Sequence, residues 1–210
     1  MGPQIGRLEA QLSKIRESPA TAISAGTGKA WLPYDRVLGD DLAHCDDPNV
    51  TPRLIAEAAD ENNDRMFRLA MMQFLGWRSD AGADDALLLA LSDPVLRPLA
   101  AFLLGRIGYR GYPRRDRPSR RILTALKPHL DDDAAYRDPW YDETWLTSDF
   151  VIAAFVRVAG VDRFRFVDED GHKNWIGMEL PSFHAAERDN LRAQCRAFVV
   201  ASVQEIQKSP

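Results

Sequence analysis

Apolar residues recur at three- and four-residue steps from Asp84 to Gly108. This spacing places side chains on one face of an α-helix. Two such runs follow one another: Leu87, Leu88 and Leu91, then Leu96, Leu99, Leu103 and Ile107. The intervening Ser92-Asp93-Pro94 predicts a tight turn that ends the first helix and starts the second. The second helix is apolar on nearly every side from Leu99 to Leu104, so we expect it to be covered on both faces.

A similar pair of helices precedes this one. Thr51 and Pro52 predict an N-cap followed by proline at the first helical position, with the helix ending near Asp60. Asn62, Asn63 and Asp64 offer caps for a second helix over residues 65–77. Its only polar interior residues are Arg68 and Gln73, which predicts burial.

The two pairs share a register, which predicts a repeat. Gly76 and Gly105 are 29 residues apart, and the same offset places Arg68 over Arg97. A third pair follows, in which Ser119 caps residues 120–130 and residues 142–160 form the partner helix. Gly160 of this pair aligns with Gly108 of the preceding pair, at an offset of 52 residues. The longer offset predicts an insertion in this pair, over residues 131–141. Fixed offsets between matched helix pairs are typical of a solenoid.

The two ends of the chain are suited to capping such an array. Residues 3–17 predict a short amphipathic helix, and a long last helix after Pro181 carries a buried stripe at Leu191, Cys195, Phe198, Ser202 and Ile206. Residues 163–180 fit either a small β-hairpin or an irregular loop. We therefore predict one domain over residues 1–210, with an N-terminal cap region over 3–50, three helix pairs over 51–160, and a hairpin or loop plus a C-terminal capping helix over 161–210.

Residues 51–160 resemble the short HEAT-like repeats of the phycobilin-lyase type. The resemblance rests on apolar helix pairs with a turn such as Asp93-Pro94, an arginine early in the second helix, and Leu-Gly near its end. It implies an all-α fold, an α-α superhelix with terminal capping helices. Proteins of this kind are mainly interaction scaffolds; exceptions include bilin lyases, glycosylases that excise alkylated DNA bases, and bacterial immunity proteins. The fold does not decide among them.

Composition narrows the function classes. The net charge of −4 argues against a dedicated nucleic-acid binder, whose field should be positive. The two cysteines, Cys45 and Cys195, lie far apart in the sequence, which favours free thiols in a reducing compartment. The N-terminus has no apolar run typical of a signal peptide, and no segment approaches 18 apolar residues. We expect a cytoplasmic protein with no membrane span.

Three motif-like stretches fail the tests of their motifs. The AGTGKA stretch at residues 25–30 lacks both the first glycine of a P-loop and the Ser or Thr after the lysine. His44 to Asp47 are adjacent and cannot easily close a tetrahedral metal site. Asp168 to Gly171 lacks the ligand spacing of an EF-hand. We predict no catalytic residues, no metal site and no cofactor.

Six arginines fall within residues 110–121, in the connection between the second and third pairs. Arginine can bind phosphate or carboxylate through two parallel hydrogen bonds. The favoured alternative is a solvated linker that is partly neutralised by Asp131, Asp132 and Asp133. The candidate binding residues of this run are Arg110, Arg114, Arg115 and Arg117.

An aromatic and acidic cluster lies inside the predicted insertion and just after it. Trp140, Tyr141 and Trp145 fall within six residues, together with Asp142 and Glu143. Trp and Tyr are enriched at the energetic centres of protein interfaces. The alternative is that these rings fill the gap made by the insertion, which suits Trp145 because it falls inside the predicted helix. Trp140, Tyr141, Asp142 and Glu143 are the predicted partner-binding residues.

Two function hypotheses follow. The first is a non-enzymatic protein-binding module of the HEAT-like type, of which an immunity or inhibitor protein that binds a toxin is a specific version. The alternative is a nucleic-acid-binding repeat protein of the DNA-glycosylase type, opposed by the net negative charge and by the lack of basic residues repeated along the units. The expected partner is another protein of unknown identity.

Overall fold

The structure is a computed structural model, and seven α-helices and one two-stranded antiparallel sheet account for most of the residues that it describes. It describes residues 6, 9, 10, 12, 13, 16, 47–78, 81–109, 120–137, 144–167 and 183–207. A mostly helical chain is confirmed, whereas the superhelical arrangement of the helices stays a prediction. The described residues form two compact units, one ending at Leu99 and the other beginning at Ala100.

Three complete helices build the first unit. They are α1 (Val50–Ala59), α2 (Arg65–Trp77) and α3 (Ala81–Ala90), and the start of α4 (Arg97–Tyr109) follows them. Helices α1, α2 and α3 pack against one another. The core consists of large apolar side chains that are almost fully buried: Leu54, Phe67, Leu69, Met71, Phe74, Leu75 and Leu87. The predicted bounds of α2 are confirmed, as is the burial of Arg68 and Gln73 inside it.

The N-terminal residues that the structure describes are helical, and ion pairs hold them to α1. The Arg16 Nη2 atom lies 2.5 Å from Glu57 Oε2, and Arg53 Nε lies 3.1 Å from Glu9 Oε1. Glu57 is 4% exposed and also accepts a hydrogen bond from the Asn63 amide at 2.9 Å. Arg53 Nη2 of α1 lies 2.7 Å from the other oxygen, Glu57 Oε1, so the buried carboxylate is satisfied by groups from three segments of the first unit.

The predicted cap of α1 was wrong. The helix begins at Val50 after Asn49, which makes no side-chain capping hydrogen bond, so Thr51 lies inside the first turn. The Thr51 hydroxyl is buried and accepts a hydrogen bond from Arg78 Nε at 2.5 Å. A tertiary contact thus uses the hydroxyl that the local pattern assigned to the cap.

The second unit contains the remainder of α4 and the elements after it. These are α5 (Arg120–Leu126), β1 (Ala135–Arg137), β2 (Thr144–Leu146), α6 (Thr147–Ala159) and α7 (Ala185–Gln207). Short 3-10 turns lie at Lys127–His129 and Val161–Arg163. Helix α6 packs against α5 and α7, and its residues from Thr147 to Arg157 are all buried.

The sheet lies where the sequence predicted the start of a helix. Strands β1 and β2 pair antiparallel with Tyr136 opposite Trp145. Trp145 therefore lies on a strand, and the predicted helix over 142–160 begins at Thr147, with its first two residues outside the described part. The rings of Tyr136 and Trp145 both pack edge-on against Phe150, with centroids 5.5 and 6.3 Å away. The prediction that Trp145 is a core residue is confirmed, since it is 7% exposed.

The segment over 163–180, predicted as a hairpin or an irregular loop, is described only up to Val167. Residues 163–167 form no strand; Val161–Arg163 make a 3-10 turn, and Phe164 and Phe166 are buried beyond it. Residues 168–182 lie outside the described part. They include Pro181 and Ser182, where the last helix was predicted to start. That helix begins at Ala185, and Leu191 and Cys195 of its predicted stripe are buried. Among the helices of the described ranges, none combines the length and hydropathy needed to cross a bilayer.

Candidate functional site

All eight residues predicted to bind a partner lie outside the described part of the chain. The arginines Arg110, Arg114, Arg115 and Arg117 precede α5, and Trp140, Tyr141, Asp142 and Glu143 fall between β1 and β2. Their roles stay predictions. The described residues offer a different candidate, in the first unit.

A cleft of about 210 Å³ opens at the surface of the first unit between α1, α2, α3 and the turn before α4. Its buried lining is largely apolar and includes Met72, Leu75 and Leu96, which are at most 3% exposed. Leu89 lies at its edge with 69% of its surface exposed. The described residues that line it are Ile55, Ala58, Ala59, Glu61, Arg68, Met72, Leu75, Ala86, Leu89, Ala90, Ser92, Asp93 and Leu96.

An ion pair forms one wall of the cleft. Arg68 reaches from α2 to Asp93 in the turn between α3 and α4, and its Nε donates to the Ala58 carbonyl at 2.9 Å. The Arg68 side chain is 8% exposed and that of Asp93 is 25% exposed. Asp93 Oδ1 also accepts the backbone N–H of Val95 at 2.8 Å. Both charged groups are thus used to fix the turn against the helix pair.

Arg97 occupies the position that the 29-residue offset aligned with Arg68, and it makes a comparable contact. Its Nε donates to the Leu91 carbonyl at 2.7 Å, just beyond the end of α3. Arg68 likewise bonds a carbonyl of the last turn of α1. In both pairs the second helix therefore uses an early arginine to satisfy a terminal carbonyl of the first, where cationic donors are favoured.

The second unit holds a row of three arginines on one face of α7. Arg188, Arg192 and Arg196 are spaced by four residues, so they lie along one side of the helix. Arg192 Nη2 lies 2.6 Å from Asp133, and Arg196 pairs with Asp131. We expected these aspartates to neutralise the arginine run over 110–121, but their described arginine partners come from α7.

Asp149 is the buried member of this network. It is 2% exposed and receives Arg188 Nε at 2.5 Å and Nη2 at 2.9 Å. Burial raises the pKa of the Asp149 carboxyl, and the hydrogen bonds from Arg188 oppose that shift. For the exposed Asp131, the hydrogen bond from Arg196 lowers the pKa. These partners satisfy the carboxylates, which gives the network a structural role.

No cluster of three or more His, Cys, Asp or Glu side chains suited to a metal ion is found in the described ranges. Cys195 is buried in α7, and burial raises the pKa of its thiol, which disfavours the reactive thiolate. His44, Cys45 and Asp46 of one rejected metal motif, and all of the 168–171 stretch, lie outside the described residues.

Sequence reasoning missed the cleft, although part of its signal was visible. Arg68 was singled out as a polar residue in a buried helix, and Asp93 as part of a turn. Their pairing across 25 residues could not be read from either pattern alone. Leu89 continues the apolar run of Leu87 and Leu88, and only packing reveals that it faces solvent.

Comparison with known proteins gives no relative: no protein-family model, no curated protein and no solved structure matches this chain.

Proposed function

We propose that this protein is a non-enzymatic protein-binding module that holds an apolar side chain of its partner in the cleft of the first unit. The observation that carries the proposal is the exposed Leu89 beside an apolar cleft of about 210 Å³. Single exposed leucines are common on protein surfaces. Here the exposed side chain adjoins a concave apolar surface, the combination that hot spots of protein interfaces use.

The polar groups of the cleft support binding over catalysis. Arg68 and Asp93 bond each other and the backbone around them, so both have stabilising partners. A general acid or base must reach the reacting atoms with an available proton site. The ion pair meets a structural need of the turn, so Arg68 and Asp93 are not available for acid or base catalysis.

The HEAT-like repeat is part of this proposal. Its support is the 29-residue register together with the equivalent contacts of Arg68 and Arg97 at the ends of their helix pairs. Repeat arrays of this kind mainly act as binding scaffolds. The narrower form of the proposal is an immunity-type inhibitor of a toxin domain, supported by the chain's length and its net charge of −4.

The test is affinity capture from the source organism with tagged protein. We expect one protein to be retained and, after purification of both proteins, to form a complex of fixed stoichiometry by light scattering. The capture is repeated with Leu89→Ser, which removes the exposed apolar side chain, and with Val167→Ser as the matched control, since Val167 is 65% exposed in the second unit. Retention of nucleic acid, with no protein partner, would favour the alternative function.

A further inference from the structure

The size of the cleft sets the kind of side chain that can fill it. An engineered cavity of roughly 150 Å³ lined by apolar residues binds benzene. The cleft of about 210 Å³ therefore has room for an aromatic ring or a large aliphatic group. Ile55, Ala59 and Leu89 supply accessible apolar surface for it to contact, above the buried Met72, Leu75 and Leu96.

The charge at the mouth of the cleft is negative. Glu61 lines the cleft and is exposed, and the neighbouring Asp60 is exposed as well. Among the described residues of the lining, Arg68 is the one cation, and it is buried and already paired with Asp93. What remains to face a ligand at the rim is therefore the carboxylate of Glu61, reinforced by Asp60.

The net charge of the first unit around the cleft is also negative. Residues 47–78 and 81–99 contain eight acidic residues and five arginines, a balance of −3. Four of these arginines are held by bonds within the unit: Arg53, Arg68, Arg78 and Arg97. A negative field around a cleft attracts cationic partners and repels anionic ones.

We infer that the occupant of the cleft is a segment of a partner protein in which a large apolar side chain, preferably aromatic, is flanked by basic residues. The apolar side chain contacts Ile55, Ala59 and Leu89, while a flanking cation meets Glu61. This inference rests on the proposed protein-binding function and adds the chemistry of the bound segment.

In the test, three capped tripeptides are titrated into the full-length protein. Binding is measured from the amide chemical shifts of the protein in NMR spectra. One peptide has phenylalanine between two arginines, the second has phenylalanine between two glutamates, and the third has alanine between two arginines. We expect shifts centred on Glu61, Leu89 and Ser92. The first peptide should bind about tenfold more tightly than the third, because the ring is buried, and about threefold more tightly than the second, the scale of an exposed charge contact.

Variants of the protein separate the contribution of charge to the peptide affinity from that of apolar contact. Glu61→Gln should remove most of the difference in affinity between the arginine-flanked and the glutamate-flanked phenylalanine peptides. Leu89→Ser should lower the affinity for both of these peptides. Val167→Ser should leave all three affinities unchanged. Equal binding of the arginine- and glutamate-flanked peptides, or shifts that map away from the cleft, would overturn the inference. Self-association that is lost in Leu89→Ser would also overturn it, because a second copy of the chain would then be the occupant.

The captured partner distinguishes this inference from the proposed function. If a protein partner is retained but binds Glu61→Gln and Leu89→Ser as tightly as the unaltered protein, the protein-binding function stands and the assignment of the cleft fails. If no protein partner is retained at all, the proposed function itself fails.

Discussion

The carboxylate of Asp149 and the guanidinium of Arg188 form a two-point ion pair, with N–O distances of 2.5 and 2.9 Å. Asp149 lies in the first turn of α6 and Arg188 in the first turns of α7, so the pair joins two helices of the second unit. Arg188 also donates to the Phe183 carbonyl at 2.6 Å, which fixes the start of α7.

Asp149→Asn should therefore lower the free energy of unfolding by about 3 kcal/mol, because removing one partner leaves a largely buried charge uncompensated. Urea unfolding at neutral pH measures the change. Asp189→Asn is the control, since that side chain is 74% exposed and should change stability by less than about 0.5 kcal/mol. Equal effects of the two substitutions would show that the Asp149 pair is not structural.

The same network predicts two different pH dependences. Burial raises the folded-state pKa of Asp149 above its unfolded value, so the native protein gains stability from this group as the pH falls toward 3.8. Asparagine cannot titrate, so the penalty of Asp149→Asn should grow as the pH falls from 7 toward 3.8. The Asp131 pKa is lowered below 3.8, so its contribution is present above 3.8 and is lost as the pH falls further. The penalty of Asp131→Asn should therefore not grow over the same fall in pH; a parallel growth in both variants would contradict the assigned directions.

Gly105 is a position where α4 and α6 approach closely. A Cβ atom added there would lie 2.8 Å from the Cα of Ala154, a backbone atom that cannot move aside on its own. We expect Gly105→Ala to destabilise the protein by about 1–3 kcal/mol despite the higher helix propensity of alanine. Gly6→Ala is the control, because no atom of the described residues lies within 4 Å of the added atom, and it should be neutral or stabilising. Thermal unfolding followed by circular dichroism compares them.

Substitutions of two leucines, one in α4 and one in α3, should distinguish a core position from a surface position by their effects on stability. Leu103 is 3% exposed, so Leu103→Ala should cost about 2–5 kcal/mol of unfolding free energy. Leu89 is 69% exposed, and Leu89→Ala should cost less than about 0.5 kcal/mol. Chemical denaturation of both variants checks the assignment; a large loss at Leu89 would mean that it belongs to the core and would remove the surface on which the proposed function rests.

Alanine substitutions at two tryptophans that are close in sequence should have different effects on stability. Trp145 is buried against Phe150, so Trp145→Ala should destabilise the protein by about 3–5 kcal/mol. Trp140 is the predicted interface residue, and Trp140→Ala should keep the stability of the unaltered protein while losing about 2 kcal/mol of affinity for a captured partner. Calorimetry of unfolding and of binding gives both numbers. If Trp140→Ala unfolds the protein, the ring is a core residue and the interface hypothesis for it is wrong.

The sequence by itself determined most of the helices. Residues 65–77 are helical with the predicted bounds, and Ser92-Asp93-Pro94 forms the predicted turn between two helices. These features are local, since the apolar period and the turn residues lie within one or two helical turns of each other. The burial of Leu103 follows from the same kind of pattern.

Tertiary structure decided the features that depend on distant partners. Strands of three residues are too short to show an alternating pattern, so Trp145 was placed in a helix until its pairing opposite Tyr136 defined the sheet. Thr51 was read as a cap because its contact with Arg78 lies 27 residues away. Asp133 and Arg192 are 59 residues apart, and Arg68 and Asp93 are 25 apart. A charged or hydroxyl side chain has many possible partners along a chain, and only the packing of helices selects one of them; the cleft beside Leu89 exists for the same reason.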